Sequence, residues 1–331
     1  MRDLHVVPAR AVRRILDEFA PEVVEIVRGI YLNHGVDDGE SPASGFARSV
    51  AADGQVAAFD APSGSGARWV VSVPSGQDAT PQTRGMLVLA DGVDGHPAAC
   101  MEATWIGAAR AAASAVVAIA EFAPKDRGLS VAFVGDGAVV TQMASYLTMP
   151  ASRQAEVARI SVLGTGDEDL ARICSDADVV LERIPGLTGM LDADVVVLAK
   201  REKDPYVPSD TPLNAGQLLL NVSLRALPVE LVLAANNVLD DVDECLQAYT
   251  SPHLAEHATG GRRFVTGTLG EVLRGEVLVD AAKPTVFTPF GMSPLDVAVG
   301  QFVLRAATAQ DEIIAVPDFL ASSAYAEPAL L

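Results

Sequence analysis

Between residues 129 and 236 the sequence alternates short, almost entirely apolar runs with helical stretches, and this constrains the fold more than any other feature. The runs are LSVAFVGDG (129–137), ARISVLG (158–164), ADVVVLA (193–199), QLLLNVS (217–223) and ELVLAAN (230–236). A strand covered by helices on both faces is apolar at nearly every position, whereas a half-exposed strand alternates. The pattern therefore predicts an α/β fold with a parallel sheet that helices cover on both faces.

The regions on either side of this alternation predict a mixture of helices and strands. Apolar residues at three- and four-residue steps predict one amphipathic helix over 9–33. Further strands are expected at 67–73 and 85–91, an Ala-rich helix at 101–122, helices at 268–277 and 293–307, and a last strand at 284–290. With 331 residues, the chain is long enough for two domains.

The charge balance excludes several classes of protein. There are 43 Asp and Glu against 24 Lys and Arg, which gives a formal net charge of −19. Binding to nucleic acids or to anionic membranes needs basic surface, so neither partner is expected. No apolar run reaches the roughly 18–20 residues of a membrane span, and the first residues lack a signal peptide's apolar region. We therefore expect a cytoplasmic protein.

The three cysteines, Cys100, Cys174 and Cys245, are widely spaced and odd in number. This pattern favours buried thiols in a reducing compartment over a disulfide framework or a zinc site.

The segment VGDGAVV (134–140) carries the strongest chemical signal, because it follows a predicted strand and opens a predicted helix. In a dinucleotide site the first glycine permits a tight turn, and the second lets pyrophosphate approach the backbone at the helix N-terminus. The predicted cofactor-binding residues of this turn are Gly135, Asp136, Gly137, Ala138 and Val139. The third glycine of the pattern is replaced by Val140, and an ordinary glycine turn is the alternative interpretation.

The end of the second strand bears on the choice between NAD and NADP. The acid that usually binds the ribose hydroxyls of NAD is absent, because the strand ends at Gly164 and Thr165. Thr165 or Asp167 could take its place, and Arg159 lies at the wrong end of the strand to bind a 2′-phosphate. We expect NAD as the cofactor, with NADP possible, and include Gly164 and Thr165 among the cofactor-binding residues.

His253, Glu256 and His257 match the H-x-x-E-H pattern of inverted zincins. Pro252 before them and glycines shortly after leave room for a very short helix. A polar turn with two solvated histidines is the preferred interpretation, so no metal site is predicted.

Five segments resemble a known family: CMEATWIGAARAAASAVVA (100–118), VGDGAVV (134–140), NVSLRALPVELVLAANNVLDDVDE (221–244), TSPHLAEHATGGRRFVTGTLGEVLRGE (250–276) and PTVFTPFGMSPLDVAVGQFVLRAA (284–307). They are similar to the ornithine cyclodeaminase/μ-crystallin superfamily. More narrowly, they resemble its 2,3-diaminopropionate biosynthesis clade of N-(2-amino-2-carboxyethyl)-L-glutamate dehydrogenases. The motifs TSPHLAE and PFGM-x-x-LD are the most specific to that clade.

The resemblance implies an α/β fold in which residues 123–301 form a Rossmann-type NAD(P)-binding domain with a doubly wound parallel sheet. This domain would be inserted into a smaller α+β domain, formed by 1–122 and 302–331, that binds substrate and pairs across a homodimer. It further implies oxidative cleavage of an N-substituted amino acid, with 2,3-diaminopropionate and 2-oxoglutarate as the clade's products. A PLP-dependent synthase is the pathway partner that the resemblance suggests.

The resemblance also implies three catalytic residues. Arg110 matches the family's substrate-carboxylate arginine, although a structural arginine on a helix is the alternative. Arg68 replaces a family lysine beside the reacting amine, and arginine cannot readily act as a base because it stays charged. Asp296 is retained together with the glycine segment Gly291-Met292, which is expected near the nicotinamide; an acid at a helix N-terminus is the alternative for Asp296.

Other positions depart from the family pattern. Gln55 stands where an arginine is expected, and Ala226 replaces an acid in NVSLRAL. The fourth Rossmann strand ends at Ala199 and Lys200, both predicted to contact the cofactor, and continues into the charged run 200–203. That run could contact phosphate or an acidic substrate, or it could be a solvated loop.

Several functions remain open after these departures. An imine or ketimine reductase would keep the fold and reverse the direction of reaction, and a cyclodeaminase would use bound NAD catalytically. A nucleotide- or ligand-binding homologue without catalysis is the alternative from a different class.

Overall fold

The computed structural model describes residues 2–35, 45–51, 54–60, 66–73, 82–91, 96–149, 156–164, 168–200, 202–247 and 249–320, with the backbone alone for 45–84. The chain packs as two compact units. Unit 1 comprises Met1–Phe19, Asp37–Gly107 and Ser293–Leu331, and unit 2 comprises Ala20–Val36 and Ala108–Met292. The functional roles expected for 1–122 plus 302–331 and for 123–301 stay predictions, since the packing boundaries near 107 and 292 do not test them.

Strands and helices alternate through most of the described chain. The strands are β1 (Arg2–Val7), β2 (Gly45–Ala51), β3 (Gly54–Asp60), β4 (Gly66–Val73), β5 (Gln82–Ala90), β6 (Pro97–Glu102), β7 (Leu129–Val134), β8 (Val157–Leu163), β9 (Val180–Arg183), β10 (Val195–Leu198), β11 (Leu218–Leu220), β12 (Asn236–Leu239), β13 (Val265–Thr268), β14 (Thr285–Thr288) and β15 (Ile314–Leu320). The α-helices are α1 (Ala9–Glu18), α2 (Ala20–Asn33), α3 (Thr104–Phe122), α4 (Ala138–Thr148), α5 (Glu168–Asp176), α6 (Val229–Ala234), α7 (Val242–Gln247), α8 (Ser251–Thr259), α9 (Leu269–Leu273) and α10 (Ser293–Ala309).

Unit 2 is built on a parallel sheet in the order β13-β12-β14-β11-β10-β7-β8-β9. Strand order reverses at β7, which pairs with β8 on one side and β10 on the other, both in parallel. All four residues of β10 are buried, as expected for a strand covered on both faces. The prediction of a doubly wound parallel sheet is confirmed, and ligands of such sheets bind at the carboxyl ends of the strands where the order reverses.

One predicted strand of this sheet needs correction. The run ELVLAAN is helix α6 followed by the start of β12, because Pro228 caps a helix that buries Leu231 and Val232. A short apolar run cannot distinguish a buried helix from a buried strand. The strand predicted at 284–290 is present as β14, which pairs in parallel between β11 and β12.

The single helix predicted over 9–33 is two helices, α1 in unit 1 and α2 in unit 2. Phe19 leaves the helical region, with φ −111° and ψ 34°, and Pro21 follows in the first turn of α2. Proline lacks the N–H that would continue α1, but it is well tolerated in a helix's first turn. The apolar spacing survives the break because each helix buries its own apolar face.

Unit 1 contains a mixed sheet in the order β15-β1-β6-β5-β4-β3-β2. Its pairings are antiparallel except for that between β1 and β6. Helix α10 packs closely on this sheet at Gly300, where a Cβ would lie 2.2 Å from Leu87 Cδ2. The predicted smaller domain of mixed helices and strands is therefore observed.

Helix α3 corrects the expectation that no segment is apolar enough to span a membrane. Its 19 residues have the length and composition required, although 78% of its most apolar stretch is buried inside the protein. A core helix of a globular protein has the same properties. Cys174 and Cys245 are buried free thiols as expected, whereas the free Cys100 is half-buried.

Candidate functional site

The glycine turn at the end of β7 is shaped by the neighbouring strand β10. Gly135 has φ +125°, and a Cβ there would lie 2.7 Å from Lys200 N and 2.9 Å from Ala199 C. Both of those residues donate their backbone N–H to Val134 O, at 2.9 Å from Ala199 and 2.8 Å from Lys200. Gly135 is thus required by a close approach of two backbones as well as by its positive φ.

Gly137, two residues later, has open space around it. Its φ is +90°, and a Cβ would meet no described atom within 4 Å. It is the N-cap of α4 and provides no side-chain cap, so the first N–H groups of that helix have no capping side chain there. The turn borders a small recess that Gly135, Thr141 and Leu170 also line. At Gly137 the missing side chain leaves the backbone accessible to a phosphate group beside a helix N-terminus.

The other residues predicted to contact a cofactor lie around this turn. Asp136 is exposed, Ala138 and Val139 are half-buried, and Gly164 is exposed with φ +149°. Val140, at the position of the third glycine, is buried and packs in the core. Thr165 lies outside the described residues.

Lys200 was predicted to contact either a phosphate or solvent. Its Nζ forms an ion pair with Glu202 Oε1 at 2.7 Å and lies 5.8 Å from the centroid of the Tyr206 ring. Both charged side chains are exposed, and this local pair supports the solvated-loop interpretation for Lys200.

Two other predicted residues, Arg110 and Gly291, are brought together in unit 2. Arg110 lies on α3 with 8% of its surface exposed. Gly291 has φ +101°, and a Cβ there would lie 2.1 Å from Arg110 Nη1 and 2.4 Å from Cζ. The guanidinium therefore occupies the place where a side chain at position 291 would begin. The glycine segment allows a buried cation to approach the backbone.

Asp240, which the sequence analysis did not select, anchors the same segment. Its Oδ2 accepts a hydrogen bond from Gly291 N at 2.5 Å, and its Oδ1 accepts one from Cys245 Sγ at 3.3 Å. Burial raises the pKa of Asp240, while these hydrogen bonds and the charge of Arg110 lower it in part. The sequence signal for Asp240 was the acidic run LDDVDE (239–244), which follows a buried strand. A buried acid needs hydrogen-bond partners, and Gly291 and Cys245 provide them here.

A second group of titratable residues lies beside Asp240. His34 Nε2 and Asp241 Oδ2 are 3.0 Å apart. The hydrogen bond to Asp241 raises the pKa of His34, and the same hydrogen bond lowers the pKa of Asp241. Burial and the charges of Asp241 and Asp240 raise the pKa of Glu244 to about 8.

The positions of the remaining predicted residues do not indicate a role in the site. Asp296 lies in the first turn of α10 with 1% exposed surface, and Met292, the last residue of unit 2, is equally buried. Arg68 pairs with Phe59 and Leu87 in the backbone register of unit 1's sheet, but its side chain lies outside the described residues. The side chain of Gln55 does too. Ala226 is buried.

The H-x-x-E-H segment forms helix α8, so the polar turn preferred from the sequence is wrong. Pro252 lies in its first turn and Thr250 caps it by accepting from His253 N, which is why the helix begins there. His257 is exposed, whereas Nδ1 of His253 is buried. Within the described chain, no group of three or more His, Cys, Asp or Glu side chains could hold a metal ion.

A parallel sheet with a glycine turn at the point of strand reversal defines a doubly wound α/β protein of the Rossmann class. Residues 46–311 match the sequence profile of the ornithine cyclodeaminase/mu-crystallin family. Because this match spans well over half of the chain, the protein belongs to that family. The resemblance found in the motifs is confirmed at this level.

Solved structures agree with the assignment of fold. An archaeal alanine dehydrogenase dimer with bound NAD has a TM-score of 0.79 and 20% identity, covering 96% of this chain and 100% of its own. Thermococcus litoralis Δ1-pyrroline-2-carboxylate reductase, in complex with NADH and L-proline, has a TM-score of 0.78 and 16% identity, with coverage of 96% and 100%. The iminosuccinate reductase of Paracoccus denitrificans, in complex with NAD+, has a TM-score of 0.75 and 19% identity, with coverage of 95% and 99%. A search of curated protein sequences found no significant match.

Proposed function

We propose that this protein is an NAD-dependent oxidoreductase acting on an N-substituted amino acid. The observation that carries this proposal is the open space at Gly137, at the N-terminus of α4 and at the point of strand reversal. Family membership and the NAD, NADH and NAD+ named for three structural relatives support it.

The residues of the glycine turn suit a dinucleotide. Gly137 leaves its backbone open to the pyrophosphate, and the N–H groups at the start of α4 donate to the phosphate oxygens. When bound, NAD accepts a hydride at its nicotinamide ring. The exposed Asp136 weakens phosphate binding by repulsion, and Gly164 offers no carboxylate to the adenosine ribose. NADP can therefore replace NAD more readily than in an enzyme with an acid at that position.

The proposed reaction is oxidation at a carbon–nitrogen bond. With NAD bound, the substrate would lose its Cα–H as a hydride to the cofactor and its amine proton to water, which would give an imine. Water then adds to the C=N bond and the C–N bond breaks, which yields a 2-oxo acid and a free amine. Arg110 holds the substrate carboxylate by its guanidinium, which lies against the backbone of Gly291.

For the substrate we propose N-(2-amino-2-carboxyethyl)-L-glutamate, with 2,3-diaminopropionate and 2-oxoglutarate as products. The motifs TSPHLAE and PFGM-x-x-LD support this choice by their resemblance to the diaminopropionate clade. A homodimer is proposed on the same grounds, together with the archaeal relative described as a dimer. The PLP-dependent synthase as pathway partner stays a prediction from the resemblance.

The reductive direction is the second candidate. Two of the structural relatives are described as reductases, one of Δ1-pyrroline-2-carboxylate and one of iminosuccinate. Arg68 also stands where the family lysine is expected, and a permanently charged arginine favours anion binding over proton abstraction.

A nicotinamide absorbance assay tests both directions. N-(2-amino-2-carboxyethyl)-L-glutamate with NAD or NADP should give rising absorbance, and Arg110→Ala should abolish the rise. Falling absorbance with NADH and a cyclic imine would favour the reductase. If the purified protein binds NAD but no absorbance changes with any secondary amine or imine, the oxidoreductase proposal is wrong and a binding protein replaces it.

A further inference from the structure

The turn that follows β11 presents polar side chains at the carboxyl edge of the parallel sheet. Leu224, in the middle of this turn, has φ +70°, a left-handed conformation that bulky residues rarely adopt. Asn221 stabilises it by donating from Nδ2 to Leu224 O at 3.1 Å and accepting at Oδ1 from Ala226 N at 3.3 Å. Such strained residues occur preferentially at ligand sites. The side chains on either side, Ser223 and Arg225, are therefore candidates for ligand binding.

Arg225, Tyr249 and His253 form a group beside this turn, here called the Arg225 cluster. Cζ of Arg225 lies 5.2 Å from the centroid of the Tyr249 ring. The His253 ring lies 5.8 Å from the same centroid at an interplanar angle of 81°. Ser251 N donates to Leu224 O at 2.7 Å, which fixes the start of α8 against the turn. Tyr249 is 64% exposed, so the cluster is open to solvent.

Two polar atoms of the Arg225 cluster are buried without a hydrogen-bond partner among the residues that the structure describes. They are Nε of Arg225 and Nδ1 of His253. A buried donor without an acceptor costs about 1–3 kcal/mol, so such atoms are uncommon in folded proteins. Because arginine stays protonated, its Nε–H can only donate. The group that completes this cluster must therefore offer acceptor oxygens, and an anion does so best.

The position of the Arg225 cluster in the sheet indicates which part of the bound cofactor and substrate it contacts. Strand β11 lies two strands from β7, with β10 between them, and Ser223 N donates to Leu198 O at 2.8 Å at the end of β10. At about 4.8 Å per strand, this places the turn about 10 Å from the glycine turn. The adenosine half of a dinucleotide is expected on the opposite side, over β8. The cluster therefore lies on the side where the reacting ring and the substrate are expected.

We propose that the Arg225 cluster binds the γ-carboxylate of the substrate's glutamate half, which makes the substrate class a secondary amino acid with a carboxylate in its side chain. This proposal rests on the proposed function. Arg225 lies over the face of the Tyr249 ring, and a guanidinium held there can form a two-pronged pair with a carboxylate. His253 supplies the second polar contact. In a chain with a net charge of −19, such a basic group selects anions locally.

A kinetic comparison of two substrates tests the cluster. The first is N-(2-amino-2-carboxyethyl)-L-glutamate. The second is the same compound with the γ-carboxylate of its glutamate half converted to an amide. Arg225→Gln should raise KM for the acid about tenfold, mainly without a change in kcat, and should raise KM for the amide much less. Arg225→Lys should show a smaller rise. Arg172→Gln, an exposed arginine on α5 paired with Asp169, is the matched control and should behave as wild type.

The dissociation constant of NAD, measured by fluorescence in the same variants, distinguishes a substrate carboxylate from a cofactor phosphate as the anion that the cluster binds. If Arg225→Gln weakens NAD binding, or raises KM equally for acid and amide, the cluster serves the dinucleotide or the fold and the proposal is wrong. Circular dichroism and the thermal midpoint of each variant identify losses that come from unfolding.

The carboxylate site can be tested even if the proposed function is wrong. If the wild-type protein turns over neither substrate, calorimetry with glutarate, with and without NAD, tests the cluster directly. Binding to wild type and to Arg172→Gln, weakened about tenfold in Arg225→Gln, supports the carboxylate site. No binding to wild type, or equal binding to all three proteins, overturns it.

Discussion

The glycines at the end of β7 and the glycine before α10 have the same backbone requirement but different neighbours. Gly135, Gly137 and Gly291 all have positive φ, between +90° and +125°. Beside Gly135 lies the backbone of the next strand, beside Gly137 there is open space, and beside Gly291 lies the guanidinium of Arg110.

The same residue type therefore meets three different surroundings in one unit: backbone at Gly135, no described atom within 4 Å at Gly137 and a charged side chain at Gly291. A glycine whose missing Cβ would strike backbone is required by the fold. One whose missing Cβ would enter open space is available to a ligand. One whose missing Cβ would displace a charged side chain controls where that side chain lies.

Gly135→Ala should have the largest effect of the three alanine substitutions. The added Cβ would overlap the Lys200 backbone at 2.7 Å, and alanine is strained at φ +125°. Backbone cannot move as a side chain can, so we expect a loss of about 3 kcal/mol or more in the free energy of unfolding. Urea denaturation measures it. A loss no greater than that of Gly137→Ala would show that the close approach to β10 does not matter.

Gly137→Ala should chiefly weaken NAD binding. No described atom would clash with the new methyl group, so the fold loses only the strain of a positive φ, about 1–2 kcal/mol. The methyl group would project into the space proposed for pyrophosphate, and we expect the dissociation constant of NAD to rise about tenfold or more. Equal NAD affinity in a folded variant would contradict the proposed position of the cofactor.

Gly291→Ala should displace the guanidinium of Arg110, since the new Cβ would lie 2.1 Å from Nη1. We expect kcat/KM to fall about tenfold, mainly through a higher KM, because the substrate carboxylate is held less well. Backbone strain should also lower the free energy of unfolding by about 1–2 kcal/mol. In an Arg110→Ala background the same substitution should no longer change the dissociation constant of the substrate, measured by calorimetry. An additive effect in the double variant would show that Gly291 does not act through Arg110.

The smallest effect is expected from Glu244→Gln, and it depends on pH. The pKa of Glu244 is raised from 4.5 to about 8 in the folded protein, first by burial and then by Asp241 and Asp240. Between these values the folded state keeps a proton that the unfolded state has lost. Wild-type stability should therefore fall as the pH rises from 5 to 8, and the Gln variant should have a shallower slope and a higher thermal midpoint at pH 8.

His34 contributes a slope of the same sign and requires a control. Its raised pKa adds stability that is present below its usual value of 6.5 and is lost as the pH rises through the folded value. The effect of Asp241 falls outside this window, since its pKa is lowered from 3.8. Thermal midpoints of His34→Gln and of the double variant with Glu244→Gln separate the two contributions. If Glu244→Gln keeps the full wild-type slope, Glu244 is ionised in the folded protein.

Much of unit 2 could be predicted because its strands are buried on both faces, which the sequence records as unbroken apolar runs. The run at 230–236 was assigned wrongly for the same reason, since a buried helical turn after Pro228 has an equally apolar composition. The break at Phe19 was missed because the apolar spacing continues across it.

In the candidate site, the motif pattern selected Arg110 and Gly291 separately, and the structure brought them into contact. Asp240 and the Arg225 cluster were missed, because burial and the contacts of these side chains depend on segments distant in the sequence. The sequence had matched His253 to a position of the clade but offered no reason to place it beside Arg225.

By itself, the sequence determined the class of sheet, the position of the glycine turn and the family, because these depend on local periodicity and on residue types at fixed spacing. The tertiary structure decided which atoms lie beside each glycine and which arginine lies against the backbone. It also decided which buried polar atoms lack a hydrogen-bond partner among the described residues. Those properties arise from close approach between segments far apart along the chain, and no local pattern records that approach.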